Sequence, residues 1–178
     1  MRLKATLLII LLPLAITFSG CASIINQGAS APVSFRDEWA VLPFVNNTET
    51  PYAAERAESI TAALLYSRGV RRLATYPVEA KGEALSFDRG QGRQKEALEW
   101  AARQKKIRYA VTGVVNEWRY KVGLDGEPVV GMTLQVVELA SGKVLWSASG
   151  AMSGWSRDAV SAVAQQVINK LLGTIDEK

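Results

Sequence analysis

The stretch YAVTGVVNEWRY, residues 109–120, decides the fold. It alternates in polarity and is rich in Val, Tyr and Trp, which is typical of a β-strand. The segment VGLDGEP follows at residues 122–128, and its Asp125 and Gly126 are a strong signal for a tight hairpin. We therefore expect residues 129–139 to be the partner strand of residues 109–120.

A second turn follows this partner strand. Ser141 and Gly142 interrupt the apolar pattern, and residues 143–152 resume it. The sequence therefore predicts three consecutive antiparallel strands, a meander in the C-terminal half of the chain.

Upstream of the meander, WAVLPFV at residues 39–45 is an apolar run between charged and polar residues, as expected for a buried strand. Pro43 cannot donate to a ladder, so it belongs at the end of this strand or on an edge. A helix is predicted over residues 53–68, with Thr50 as its cap and Pro51 at its first position. Its inward residues are Ala57, Ile60, Thr61, Leu64 and Leu65, and Gly69 ends it.

The middle of the chain is predicted to contain a strand over residues 70–78, a loop over residues 79–92 and a helix over residues 93–106. The loop contains SFDRGQG, which lacks the context of a dinucleotide fingerprint or a P-loop and predicts no phosphate site. The helix ends in cations that suit its dipole. Its expected inward residues are Ala97, Leu98, Ala101 and Ala102.

A last helix is predicted to start at Ser156 as cap, with Asp158 in its first turn. Its apolar stripe can cover one sheet face and consists of Val160, Val163, Ala164, Val167, Ile168, Leu171 and Leu172. The predicted fold class is therefore α/β (α+β), with a single mixed β-sheet, a C-terminal antiparallel meander and about three packed helices.

Composition excludes several function classes. The chain contains no His and one Cys, which removes the Ser-His-Asp triad, imidazole metal ligands and disulfides. We expect no metal and no cofactor. The formal charge of +4 includes Arg2 and Lys4 of the N-terminal segment, and no basic block argues for nucleic acid as a partner.

The N-terminus has the order of a secretory signal, with Arg2 and Lys4, an apolar run over residues 5–16 and the small residues Ser19 and Gly20 before Cys21. This run is too short to span a membrane. Small residues before a lone Cys resemble the lipobox of bacterial lipoproteins, which implies that Cys21 is acylated. An ordinary signal peptide followed by an unmodified Cys is the alternative.

The lipoprotein resemblance divides the chain into a signal peptide at residues 1–20, a lipidated N-terminus and tether at residues 21–37, and one periplasmic domain at residues 38–178. No Asp follows Cys21 directly, which in Gram-negative lipoproteins favours the outer membrane. We expect the protein to be lipid-anchored on the periplasmic face of that membrane.

Some residues are not needed by a buried core. Trp155 lies between Gly154 and Ser156, where a large aromatic can point outward and contact a membrane interface. The alternative is a hydrophobic staple, in which Trp155 packs near Val160. Trp100 is a second aromatic that could lie at an interface. Trp118 and Trp146 lie in predicted strands and are expected to be packed.

Asp125 lies at the predicted hairpin tip, where Asp also suits the turn backbone. If copies of the chain formed a ring, Asp125 and Glu127 repeated at each tip would create a collar of negative potential. Such a collar would attract a cationic ligand.

Two blocks resemble the PelC family, the outer-membrane lipoproteins of bacterial Pel exopolysaccharide systems. They are WAVLPFVNNTETPYAAERAESITAALLYSRGV at residues 39–70 and LQVVELASGKVLWSASG at residues 134–150. The resemblance implies a non-catalytic protein that assembles as a homo-oligomeric ring, with a dodecamer as one candidate size. It further implies that the ring associates with a PelB-like outer-membrane β-barrel exporter and guides a cationic polysaccharide to it. On this basis Trp155 would contact the membrane, and Asp125 would face the polymer on the opposite side.

Two alternative classes remain. One is an LpoB-like activator of a periplasmic synthase, and the other is a CsgG-like subunit of a secretion complex. An enzyme would need a carboxylate pair, and no such pair is identifiable in the sequence.

Overall fold

One mixed sheet of seven strands carries the fold. The computed structural model describes residues 23–28, 30–77, 91–123 and 126–178. The strands are β1 (Ser23–Gln27), β2 (Glu38–Val41), β3 (Val45–Asn46), β4 (Arg72–Thr75), β5 (Ile107–Tyr120), β6 (Pro128–Glu138) and β7 (Lys143–Ser153). Three helices accompany them within these residues, namely α1 (Ala53–Ser67), α2 (Gln91–Arg103) and α3 (Val160–Leu172).

The strand order is β1-β7-β6-β5-β2-β4, and β3 pairs with β5 beyond the end of β2. Strands β5, β6 and β7 form the predicted antiparallel meander, and β1 adds antiparallel to β7. Strands β2, β3 and β4 are parallel to their neighbours. The predicted fold class, a mixed sheet with about three packed helices, is confirmed.

The predicted strand over residues 39–45 is divided in two, so the prediction of one continuous strand is wrong. Pro43 has no N–H and interrupts the ladder between β2 and β3. The neighbouring Leu42 N–H still donates to the Val111 carbonyl at 2.9 Å. The Pro43 carbonyl accepts a hydrogen bond from the Thr112 hydroxyl at 3.2 Å, so this carbonyl is satisfied by a side chain where the ladder is interrupted.

Helix α1 begins at Ala53, and Tyr52 is its N-cap with a left-handed φ of 59°. The prediction of Thr50 as cap and Pro51 as first helical residue is wrong. The reason is a tertiary contact, because the Thr50 hydroxyl donates to the Trp118 carbonyl instead. Gly69 follows the helix with φ of 101°, so the predicted stop is confirmed.

Helix α2 begins and ends earlier than the predicted 93–106. Ala97 and Ala101 are buried as expected, whereas Ala102 is exposed, so its predicted inward position is wrong. Strand β4 is also shorter than the predicted 70–78. Most of the predicted loop at residues 79–92 lies outside the described residues, and its last two residues are helical.

The two faces of the sheet are covered differently. Helices α1 and α3 pack on one face, called here the inner face. Its largest fully buried side chains include three tryptophans, Trp39, Trp118 and Trp146. Helix α2 covers part of the other, outer face, where Ala97 and Ala101 lie in one small cluster with Ala40, Leu42 and Ala110.

The N-terminal segment joins the sheet, which corrects the predicted tether over residues 21–37. Strand β1 pairs with β7 over Ser23–Gln27, and Ile25 packs against the core. Val33 and Phe35 are buried, and the Val33 N–H donates to the Asp176 carbonyl at 2.9 Å. The folded unit therefore starts well before residue 38, because these apolar residues cover the edge of the core.

Candidate functional site

The hairpin between β5 and β6 forms one end of the sheet. Tyr120 pairs with Pro128, and the Lys121 N–H donates to the Glu127 carbonyl at 2.8 Å. Gly126 has φ of 51°, a backbone conformation that favours glycine. Asp125 itself lies outside the described residues. In the sequence it directly precedes Gly126.

Glu127 does not carry an isolated negative charge. Its carboxylate accepts a hydrogen bond from the Lys121 ammonium at 2.9 Å, and both side chains are well exposed. An exposed pair of this kind contributes little to stability. It does, however, offset the charge that Glu127 would add to a negative collar, so Asp125 remains the stronger candidate for that role.

Trp155 is 60% exposed and is the first residue of a turn that two hydrogen bonds to Asp158 close. The Asp158 N–H donates to the Trp155 carbonyl at 2.9 Å, and the Trp155 N–H donates to the Asp158 carboxylate at 2.8 Å. Because Asp158 is engaged in this turn, α3 begins only at Val160 and its N-cap is Ala159. The predicted helix start at Ser156 is wrong.

The staple interpretation of Trp155 is also wrong. A staple residue directly precedes the N-cap, and Trp155 lies four positions before Ala159. The indole is therefore a solvent-facing aromatic with no packing role in the start of α3.

The turn at Trp155 and the hairpin are neighbours. The Gly154 N–H donates to the Pro128 carbonyl at 2.8 Å, and the Val160 N–H donates to the Tyr120 hydroxyl at 3.3 Å. Trp155 therefore lies near the base of the hairpin, whereas we expected Asp125 on the opposite side of the protein from Trp155. Both loops occupy the same end of the sheet, called here the hairpin end.

Strand β1 begins at the hairpin end as well. Ser23 pairs with Met152, which lies three residues before Trp155. Cys21 is two residues ahead of Ser23 and lies outside the described residues. Two residues of extended chain span at most about 7 Å. A lipid attached to Cys21 would therefore start close to this end.

The other tryptophans have packing roles. Trp118 and Trp146 are buried as expected, and the Trp146 indole N–H donates to the Thr174 hydroxyl at 3.1 Å. Trp100 is partly buried and packs edge-on against Tyr76, with ring centroids 5.5 Å apart. Its hydrophobic surface is thus used within the chain.

A groove of about 840 Å³, which was not predicted from the sequence, lies on the outer face of the sheet. Its floor includes Gly131, Ser149 and Ala151, and the loop over residues 47–51 forms one wall. A lone Gly inside an apolar strand pattern, here Gly131, was the available signal, because it marks a place with no side chain to fill the surface.

Comparison with solved structures decides the family. The PelC dodecamer from Paraburkholderia phytofirmans is 37% identical to this chain, with a TM-score of 0.72, and the match covers 88% of this chain and 99% of that one. A single-substitution variant of the same dodecamer is 36% identical, with a TM-score of 0.74 and coverage of 88% and 100%. This chain belongs to the PelC family.

The PelC fold extends to more distant structures. Lipoprotein GNA1162 from Neisseria meningitidis is 18% identical, with a TM-score of 0.54 and coverage of 77% of this chain and 96% of that one, which shows a shared fold. No protein-family model and no curated protein matches the chain. Of the helices in the described residues, none combines the length and apolar character that a membrane crossing requires.

Proposed function

We propose that this PelC-family protein is a non-catalytic lipoprotein that guides a cationic exopolysaccharide to its exporter. Cys21 carries lipid in the periplasmic face of the outer membrane, and copies of the chain assemble as a dodecameric ring. The ring associates with a PelB-like β-barrel and passes the polymer towards it. The likeness to PelC dodecamers at 36–37% identity, over nearly their whole length, carries this proposal.

The membrane contact is supported by the composition of the hairpin end. Exposed Trp155 lies three residues after Met152, and Met152 pairs with Ser23 beside the Cys21 anchor. Indole favours the membrane–water interface because it is apolar and has one polar group. Lipid and indole at the same end would hold that end against the membrane, since stable anchoring takes two signals.

The guiding role is electrostatic and belongs to the ring. One exposed Asp attracts a cation weakly, but copies around an opening add their potentials within a Debye length of about 8 Å. Because Glu127 is paired with Lys121, we assign the guiding charge to Asp125. Because the hairpin lies beside Trp155, the acidic opening would sit at the level of the membrane, where an exporter receives the polymer.

The test is polymer export by cells that carry Asp125→Ala. We expect export to fall several-fold while the mass of the detergent-solubilised assembly is unchanged, because the substitution removes charge from a turn. The matched control is Asp176→Ala, which removes an exposed carboxylate outside the hairpin. Export at the wild-type level in Asp125→Ala would remove the guiding role from this residue.

A further inference from the structure

We propose that the groove on the outer face is one half of the contact between neighbouring copies of the chain, with a second copy as its occupant. This inference rests on the ring proposed above and names a surface that builds it. A closed ring of identical subunits uses two different patches on each subunit, because each contact is head-to-tail. We assign the groove to one of these two patches, the one into which the neighbouring subunit inserts.

The groove exists because the outer face is covered unevenly. Helix α2 covers β2 and the first half of β5, where alanines allow it to approach closely. Beyond α2, the outer face of β6 and β7 presents small residues. A Cβ at Gly131 would lie 3.4 Å from the Glu117 Cβ and 3.5 Å from the Ala151 Cβ, which is ordinary contact distance. The floor of the groove therefore carries only short side chains, and a protruding surface of a partner can reach it.

Tyr52 is our candidate anchor, because it adjoins the wall of the groove along the chain. It directly follows Pro51, which lines the wall, and its side chain is 70% exposed. Its φ of 59° is rare for a residue with a Cβ, and such backbone conformations concentrate at functional sites. Exposed tyrosines that bury their ring in a partner dominate the binding energy of many protein contacts. An aromatic held in this conformation beside an open groove is suited to that use.

Charge indicates which surface of the second copy enters the groove. Glu49 lies on the wall, and no ion pair of its carboxylate occurs among the described residues. A separate surface, around the start of β4 and just after the end of α2, is basic, with exposed Arg71, Lys105 and Lys106. Patches of opposite charge at two separate places on one subunit allow the same contact to repeat around a ring.

The first experiment measures the mass of the detergent-solubilised full chain by light scattering. Tyr52→Asn removes the aromatic side chain, and Asn tolerates the left-handed backbone at this position. Gly131→Gln fills the floor from a position where a Cβ meets no clash. We expect each to weaken assembly about tenfold or more, giving smaller species at concentrations where wild type is multimeric. Tyr66→Ala is the control, because Tyr66 is a half-exposed tyrosine on α1 away from the groove.

The outcomes separate this inference from the proposed function. A multimeric wild type with unchanged mass in both variants would overturn the groove contact alone, and a monomeric wild type would overturn the ring as well. If the variants keep their mass but lose binding of glucosamine oligomers, the groove is a saccharide site and the inference fails.

A second experiment tests the partner surface. A zero-length reagent that joins carboxylates to amines should link Glu49 to Lys105 or Lys106 of another copy, and only in the multimer. Linkage of Glu49 to other lysines alone would exclude this basic surface as the occupant.

Discussion

The same strands form the inner and outer faces of the sheet, but the two faces are covered differently. On the inner face, α1 and α3 bury large side chains, among them Trp39, Trp118 and Trp146. On the outer face, α2 rests on alanines and leaves part of β6 and β7 open. Stability is therefore concentrated on one face, which leaves the other available for contact with a partner. That division can be measured through the free energy of unfolding in urea, at one protein concentration throughout.

The largest effect should come from the inner face. We expect Trp146→Ala to lower the free energy of unfolding by about 3–5 kcal/mol, because it leaves a large cavity and removes the hydrogen bond to Thr174. The control is Trp155→Ala, which removes the same side chain from an exposed position and should change stability by less than about 0.5 kcal/mol. Equal losses of stability in both variants would contradict the conclusion that stability is concentrated on the inner face.

A smaller effect is expected where α2 covers the outer face. The Thr112 hydroxyl is buried, donates to the Pro43 carbonyl and accepts from the Gln94 amide. Thr112→Val keeps the shape but removes both bonds, so we expect a loss of about 1–2 kcal/mol. On the open part of the same face, Thr133→Val should cost close to nothing, because the Thr133 hydroxyl donates to the Ser149 hydroxyl at 3.1 Å in an exposed position, where water can replace the lost bond. A large loss in Thr133→Val would show that the open face is also structural.

The smallest effect at neutral pH concerns Tyr109, which packs on Trp39 with ring centroids 5.0 Å apart. Burial raises its pKa above the ordinary value of 10.0, against the opposing influence of the Arg108 guanidinium. The folded protein therefore holds the phenolic proton more tightly than the unfolded chain does. This contribution is complete below pH 10 and is lost as the pH rises through the folded pKa.

The measurement is unfolding in urea at several pH values from 8 to above 10, on wild type and Tyr109→Phe. We expect wild type to lose stability above pH 10 more steeply than Tyr109→Phe, which has no proton to release. Tyr66→Phe, which changes an exposed ring on α1, should follow the wild-type curve. Parallel curves for all three proteins would contradict a buried phenol at residue 109.

Local patterns predicted the meander well. Alternation in residues 109–120 and the turn residues Asp125 and Gly126 belong to neighbouring segments, so the pairing follows from the chain itself. The helix starts were less predictable. Thr50 is a good cap by type, but its hydroxyl bonds to Trp118, 68 residues away. A contact at that separation is decided by tertiary packing, which no local pattern encodes.

The candidate site residues could be chosen from the sequence, but their arrangement could not. Trp155 could be singled out because local sequence puts a large aromatic at a turn. Its proximity to the hairpin depends on the Gly154 bond to Pro128, a tertiary contact. The sequence predicts a tether where β1 lies, because the neighbouring residues are small and polar. Its pairing with β7 spans more than a hundred residues and leaves no local signal.

The attachment of β1 has a mechanical consequence. On the function proposed above, a polymer drawn towards the membrane would drag on its guide, and a lipid at Cys21 would transmit the reaction force into Ser23. Pulled along its own axis, an antiparallel edge strand is loaded in shear, so the bonds of the Ser23–Gln27 register with β7 resist together instead of opening one after another. Directly joined to the sheet, the anchor would act as a stiff strut, and the ring would keep its height above the bilayer under load.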